Sequence, residues 1–274
     1  MSTDHLMSTP GAAGVARHAL QLDASWTSFA GVQGGLVIGA AVDAARAATG
    51  RHPRSASALM MRAVQPGELT LDSGVLRTGR GTSAVSVHGH TTGGGLALVG
   101  SVLLSTEPAA GAPDAQGVGP GDLATPAGLF TTPTSAGDED LLPQQFVPFA
   151  QHLEYRPVGA TYPMAGGSEA LLACWVRVRH GAAPMSRSTV TAVLLDALPP
   201  SVMATRTTPV YAATADMSLH LAGPGLAAGE WGRLVQRAHW SDEHTSVDDA
   251  VLRDETGRLV AVSRQTRRMI SVPS

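Results

Sequence analysis

Apolar positions along the chain follow two rhythms, and the order of those rhythms is repeated. Residues 34–48 are nearly all small or apolar and run into Thr49-Gly50, a helix with a glycine stop. Only Asp43 and Arg46 interrupt this stretch. A surface helix would carry a polar stripe, so this helix is predicted to be wrapped by other structure. Alternating segments follow at 56–64, 69–77, 83–90 and 96–104. Turns separate them at Gln65-Pro66-Gly67, Gly79-Arg80-Gly81 and Thr92-Gly93-Gly94. The second half predicts strands near 151–156 and 170–179, then a helix from Ser188 to Leu198 that Pro199-Pro200 interrupts. Strands resume at 209–221, 231–239, 247–253 and 258–268. One helix followed by antiparallel strands, twice over, is an α+β pattern rather than βαβ winding.

The repetition is visible in the residues themselves. Ala58 to Gly67 and Asp216 to Gly225 each form a strand-like run ending in Pro-Gly, and Gly94 to Val99 matches Gly257 to Val262. This alignment sets Ala56 against Thr214 and Val102 against Gln265, so one half is polar where the other is apolar. The expected organisation is a first repeat over 16–106, with strand character at Ala16–Leu22, and a second over 141–274. Between them, 107–140 is dominated by Pro, Gly, Ala, Thr and Asp, the composition of a linker. Residues 1–15 read as a frayed polar tail.

Composition narrows the class. With 43% hydrophobic but only 4% aromatic residues, the core must be built from Ala, Val, Leu and Met. Charged residues are 15%, against ~25% in an average globular protein, which implies extra buried surface within or between subunits. All 19 basic residues are Arg, but their scatter and the net charge of −3 leave no footprint for nucleic acid. A homodimer or higher even-numbered assembly is expected, because a large antiparallel sheet exposes edges that invite pairing. No apolar run approaches the ~18 residues of a membrane span, and the first 16 residues lack a signal-peptide pattern. The single Cys174 lies in an apolar strand and excludes an internal disulfide. Together these features point to a cytoplasmic protein.

Motif searches exclude several chemistries: there is no G-x-S-x-G elbow, H-E-x-x-H, C-x-x-C or P-loop. His88 and His90 share one strand face but lack a third metal ligand, so no metal is expected. No cofactor is implied. Asp196 stands out because it sits among leucines at the end of a helical run. Desolvation and the helix C-terminus both disfavour its charge there. It either caps the turn begun by Pro199-Pro200 or is a perturbed, reactive carboxylate. Alternation over 211–221 puts Thr214 on a polar face with Asp216, Ser218 and His220. Gln265 is unremarkable alone; the three residues gain weight together.

On these residues the chain resembles the acyl-CoA thioesterase II-like family of double hotdogs. The resemblance rests on Gly34-Gly35, Met61 to Gly67 and Leu76 to Ser83 in the first half. In the second half it rests on Leu195 to Pro199, Ala213 to Asp216 and Leu259 to Gln265. His90 departs from it, standing where relatives often carry Gln. The resemblance implies two tandem hotdogs, each a helix wrapped by an antiparallel sheet, acting on acyl-CoA or a related acyl thioester. It implies a catalytic set of Asp196, Thr214 and Gln265, with Asp196 activating water and the other two holding water and carboxylate. Backbone N–H groups of Gly34 and Gly35, at a helix start, would bind the thioester carbonyl. Competing readings are a non-catalytic binder of acyl-CoA or acyl-carrier protein, and a hotdog hydratase or dehydratase. The latter usually pairs a His with an Asp, and no His lies near Asp196 in sequence.

Overall fold

A computed structural model describes residues 9–10, 14–108, 141–158, 161–182, 184–208 and 210–270. The linker expected at 107–140 therefore lies almost wholly outside the described residues. The first half runs β1 (Thr9–Pro10), β2 (Val15–Leu22), α1 (Gly34–Thr49), β3 (His52–Met60), β4 (Gly67–Thr78), β5 (Thr82–Thr91) and β6 (Leu96–Ser105). The second runs β7 (Leu153–Pro157), β8 (Leu171–Val178), α2 (Arg187–Leu195), β9 (Tyr211–Leu221), β10 (Gly232–Ser241), β11 (Thr245–Asp254) and β12 (Leu259–Ile270). The strands form one antiparallel sheet in the order β1-β2-β4-β5-β6-β3-β9-β12-β11-β10-β8-β7. The halves join at its centre, where β3 pairs with β9 through Ser57↔Ser218 and its neighbours. This is the double hotdog, with the sheet curled around two helices that pack on each other. Among the described residues no helix is long and apolar enough to cross a membrane.

Both helices form where expected. Gln33 caps α1 by accepting from Leu36 N at 2.8 Å, and Gly50 ends it in the left-handed conformation, φ 67°. Because α1 lies inside the curl, Val37, Ile38, Val42, Ala44 and Ala45 are all essentially inaccessible. Glycine sets the approach of the helices: a Cβ on Gly39 would lie 2.7 Å from Thr189 Cα, and one on Gly35 would collide with the Ala192 carbonyl. Ser186 caps α2, which stops at Leu195 rather than at Leu198, leaving Asp196 as its C-cap. Pro199-Pro200 then lead into a 3-10 turn over Ser201–Thr205. At the N-terminus, the residues read as a tail include Thr9–Pro10, which pair with Arg17 and Ala16.

Sheet registers make the duplication exact and correct one part of it. Each half carries a one-residue bulge at the same place in the sheet. Arg54 is extra between the pairs Pro53↔Leu104 and Ser55↔Leu103. Ala215 is extra between Thr214↔Arg267 and Asp216↔Thr266. Superposing the bulges sets Pro53, not Ala56, against Thr214, whereas Val102 does stand against Gln265. The same ladder sets Leu104 against Arg267, and Val85 against Asp248. The bulge also overturns the predicted facing of Thr214. With Ala215 looped into exposure, Thr214 shares the inner side with Met217, opposite the buried Arg267.

Candidate active site

Asp196 sits where the start of α1 lies beside the end of α2, the two helices packing side by side. Its Oδ2 accepts from Gly35 N at 2.9 Å, so the first turn of α1 donates to a carboxylate at the last turn of α2. Gln33 ties the same corner, donating to Val193 O and Asp196 O, each at 3.0 Å. Gly35 N–H, expected at a substrate carbonyl, is thus committed to Asp196. Residue 34 has to be small: a Cβ on Gly34 would lie 3.1 Å from Asp196 Oδ2 and 3.6 Å from Thr214 Oγ1. The carboxylate and the hydroxyl thus converge beside Gly34, and all three residues line one cavity.

Gln265 approaches from below. It is 2% exposed, donates to Leu195 O at 3.2 Å, and its Oε1 has no partner among the described residues. Beside it lies Arg267, which the sequence reading missed. Its Nη1 donates to Leu198 O at 2.8 Å, and its Nη2 reaches Asp196 Oδ1 and Gln236 Oε1, each at 3.5 Å. Its Nε lies 3.8 Å from Asp248 Oδ2. Asp248 in turn accepts from Ser201 N at 2.9 Å, from the Ser201 hydroxyl, and from Ser246 Oγ at 3.2 Å. Spacing alone gave one signal for Arg267: with Ser263 and Gln265 it occupies alternate, inward positions of one strand.

Burial pushes the Asp196 carboxyl above the ordinary carboxylate range. The Arg267 charge, the Gly35 N–H, the Gln265 amide and the Gly34 N–H each pull it back without cancelling the rise. Cys174 is fully buried and its thiol is pushed far up by desolvation, so it stays protonated and inert. His88 and His90 lie on β5, and no cluster of metal-binding side chains occurs among the described residues.

A cavity of about 460 Å³ opens over this corner, lined by Gln33, Gly34, Asp196, Thr214 and Arg267 at its polar end. Much of its wall is apolar, formed by Val32, Val64, Leu142, Val147, Phe149 and Leu198, with Arg62 and Arg268 also lining it. A second hollow of about 570 Å³ continues past Phe29, Phe146 and Tyr211, with Phe29 edge-on to Tyr211 at 4.9 Å between centroids. The arrangement sets one buried carboxylate and one hydroxyl at the closed end of a hydrophobic slot. The structure brings Asp196, Thr214 and Gly34 together at that slot; Gln265 supports them from behind.

Two family models match the chain. The acyl-CoA thioesterase N-terminal domain matches residues 22–105, and the acyl-CoA thioesterase C-terminal domain matches residues 126–269. Among solved structures, a putative thioesterase II from Thermobifida fusca YX is 18% identical, with TM-score 0.74, over 97% of this chain and 96% of its own. A hot dog fold protein of unknown function from Alicyclobacillus acidocaldarius is 17% identical, with TM-score 0.71 and 98% of each chain covered. An acyl-CoA thioesterase II from Mycobacterium marinum is 16% identical, with TM-score 0.65, over 98% of this chain and 97% of its own. At these identities the likeness is one of fold. A search of curated proteins finds no significant match.

Proposed function

The chain belongs to the acyl-CoA thioesterase family, and we propose that it hydrolyses its acyl thioester with a water activated by Asp196. The observation that carries this reading is the convergence of Asp196 Oδ2 and Thr214 Oγ1 beside Gly34 at the polar end of the cavity, close enough that a Cβ on Gly34 would lie 3.1 Å from the one and 3.6 Å from the other. A water there contacts both a base and a hydroxyl that orients it. Asp196 takes the water proton as its oxygen attacks the thioester carbonyl carbon. The tetrahedral intermediate then expels the thiolate, the C–S bond breaks, and the proton on Asp196 passes to sulfur. Acid and thiol are the products, with no covalent acyl-enzyme.

The surrounding groups support this reading. The positive end of α1 favours both the ionised carboxylate and the negative charge developing on the carbonyl oxygen. Gln265 holds the last turn of α2, and with it Asp196, through Leu195 O. The apolar wall from Val32 to Leu198 takes the acyl group, and the hollow beyond Phe29 gives the pantetheine arm a way out. Among the described lining residues there is no histidine, which favours hydrolysis over the dehydratase reading.

Asp196→Asn tests the assignment with acyl-CoAs of several lengths and a thiol trap. The fold should survive and kcat should fall ~10²–10⁴-fold, the range for a lost general base. Near-wild-type release of thiol from that variant removes Asp196 from the mechanism. Saturable binding of acyl-CoA by the wild type without thiol release would instead support a binding protein.

A further inference from the structure

We propose that Arg267 is a positioning residue for this hydrolysis: clamped between Asp196 and Asp248, it keeps the buried Asp196 carboxylate ionised and turned toward the cavity. The inference rests on the reading of Asp196 as the water-activating group. Arg267 is 5% exposed, so its obligatory charge must be balanced by protein groups. Two carboxylates do this, Asp196 at 3.5 Å on one side and Asp248 at 3.8 Å on the other. Neutral acceptors anchor the guanidinium between them: Leu198 O at 2.8 Å and Gln236 Oε1 at 3.5 Å. Gln236 is itself pinned by Pro199 O at 2.6 Å. The clamp therefore fixes the 198–200 corner that follows Asp196, as well as the carboxylate.

Two asymmetries tie this cluster to the site as well as to the fold. In the other half the same ladder positions hold Val85, Val102 and Leu104, and that half folds with an apolar core there. Arg267 also holds only Asp196 Oδ1, while Oδ2 accepts from Gly35 N–H and lies beside Gly34. One oxygen is thus tied to the cation and the other presented to the cavity. The charged or titratable groups around Asp196 are few among the described residues. Arg267 and, through it, Asp248 come from the sheet. Tyr155, which donates to Ala197 O at 2.9 Å, is the other; α1 contributes only amides.

The acid limb of kcat/KM against pH tests this, since a purely structural role does not move it in opposite directions. Arg267→Met should shift the limb upward by about one pH unit or more, the effect of losing a cation near a carboxylate. Arg267→Lys should restore part of the shift. Asp248→Asn removes a competing anion and leaves Arg267 to Asp196, so its limb should shift downward. An unmoved limb in Arg267→Met overturns the proposal. If that variant does not fold, Asp248→Asn decides, and a limb that stays or rises overturns it. Asp196→Asn run alongside keeps the two ideas separate: full activity there defeats the general-base reading, whereas an inactive Asp196→Asn with unmoved limbs defeats the clamp alone.

Discussion

Asp43 and Asp196 occupy equivalent places, each ten residues beyond its helix N-cap, Gln33 or Ser186, yet their carboxylates are used differently. Asp43 accepts from two hydroxyls that begin α2, Ser186 Oγ and Thr189 Oγ1, both at 2.7 Å. Asp196 accepts a backbone N–H from the start of α1 and keeps an oxygen toward the cavity. The same corner is closed in one half and open in the other. The hydroxyls of Ser186 and Thr189 at the start of α2, where α1 has Gln33 and Leu36, make the difference.

The pH dependence of the wild-type enzyme follows from this openness. Because burial raises the Asp196 carboxyl above the usual range against the pull of Arg267, activity should fall with acidification above the ordinary carboxylate value of 3.8. A kcat/KM profile should show that limb, and full activity at pH 4 would contradict it.

Gly34 and Gly35 should fail in different ways. A methyl at Gly35 meets the Ala192 carbonyl carbon at 2.8 Å and Asp196 Cβ at 3.0 Å, so Gly35→Ala must part the helices and cost ~1–3 kcal/mol. Gly34→Ala meets only Asp196 Oδ2 and the Thr214 side chain, so it should fold while excluding the water. Thermal melts and kinetics should give a lower Tm for Gly35→Ala, and a lower kcat at near-normal Tm for Gly34→Ala. The reverse pattern would count against the placement of the water.

Thr214→Ala and Gln265→Ala should each lower turnover, and wild-type rates in both would exclude them from the site. Val102→Gln, which copies Gln265 into the other half, should create no second site. It buries an amide without the partners that Leu195 O and Asp196 give Gln265, at a cost of ~1–3 kcal/mol.

Asp43 gives a linkage test. Burial raises its carboxyl above 3.8, with Ser186, Thr189 and Arg46 opposing the rise. A carboxyl raised on folding stabilises the protein below its unfolded value, and that stability is lost as pH rises through the folded one. Asp43→Asn removes this dependence, so its stability relative to wild type should improve between pH 4 and pH 7 in denaturant titrations. A difference that stays constant over that window would mean Asp43 is not perturbed.

Light scattering at micromolar concentration should report an even multiple of 28.0 kDa. Leu59 and Leu103, on the paired strands β3 and β6, are 55% and 43% exposed at the centre of the sheet, with Ser57 and Ser101 between them. A single-chain mass that persists on concentration would exclude assembly.

Most of the fold was legible because its signals are local. The unstriped helix at 34–48, the Pro-Gly and Gly-Gly turns and the strand rhythm each sit within a dozen residues. Asp196 was legible for the same reason, a lone carboxylate among leucines. Thr214 was placed on the wrong face because alternation assumes an unbroken pleat, and the Ala215 bulge exists only against β12. Arg267 was missed because Arg264, Arg267 and Arg268 read alike in sequence. Arg264 is exposed and paired with Asp249 at 2.6 Å, whereas Arg267 is buried by Asp196 and Asp248 from two distant segments.

The bulge at Ala215 also exposes the site to a kind of mutation that touches none of its residues. Upstream of it, each side chain of β9 owes its facing to one unpaired residue. Deleting Ala215 would restore an unbroken alternation and turn Thr214 out to solvent, while Asp196, Gln265 and Arg267 stayed in place. A relative can thus lose the hydroxyl by a single-codon deletion with every site residue still present in its sequence. When descendants of this duplication are compared, spacing along β9 is as informative as the residues it carries.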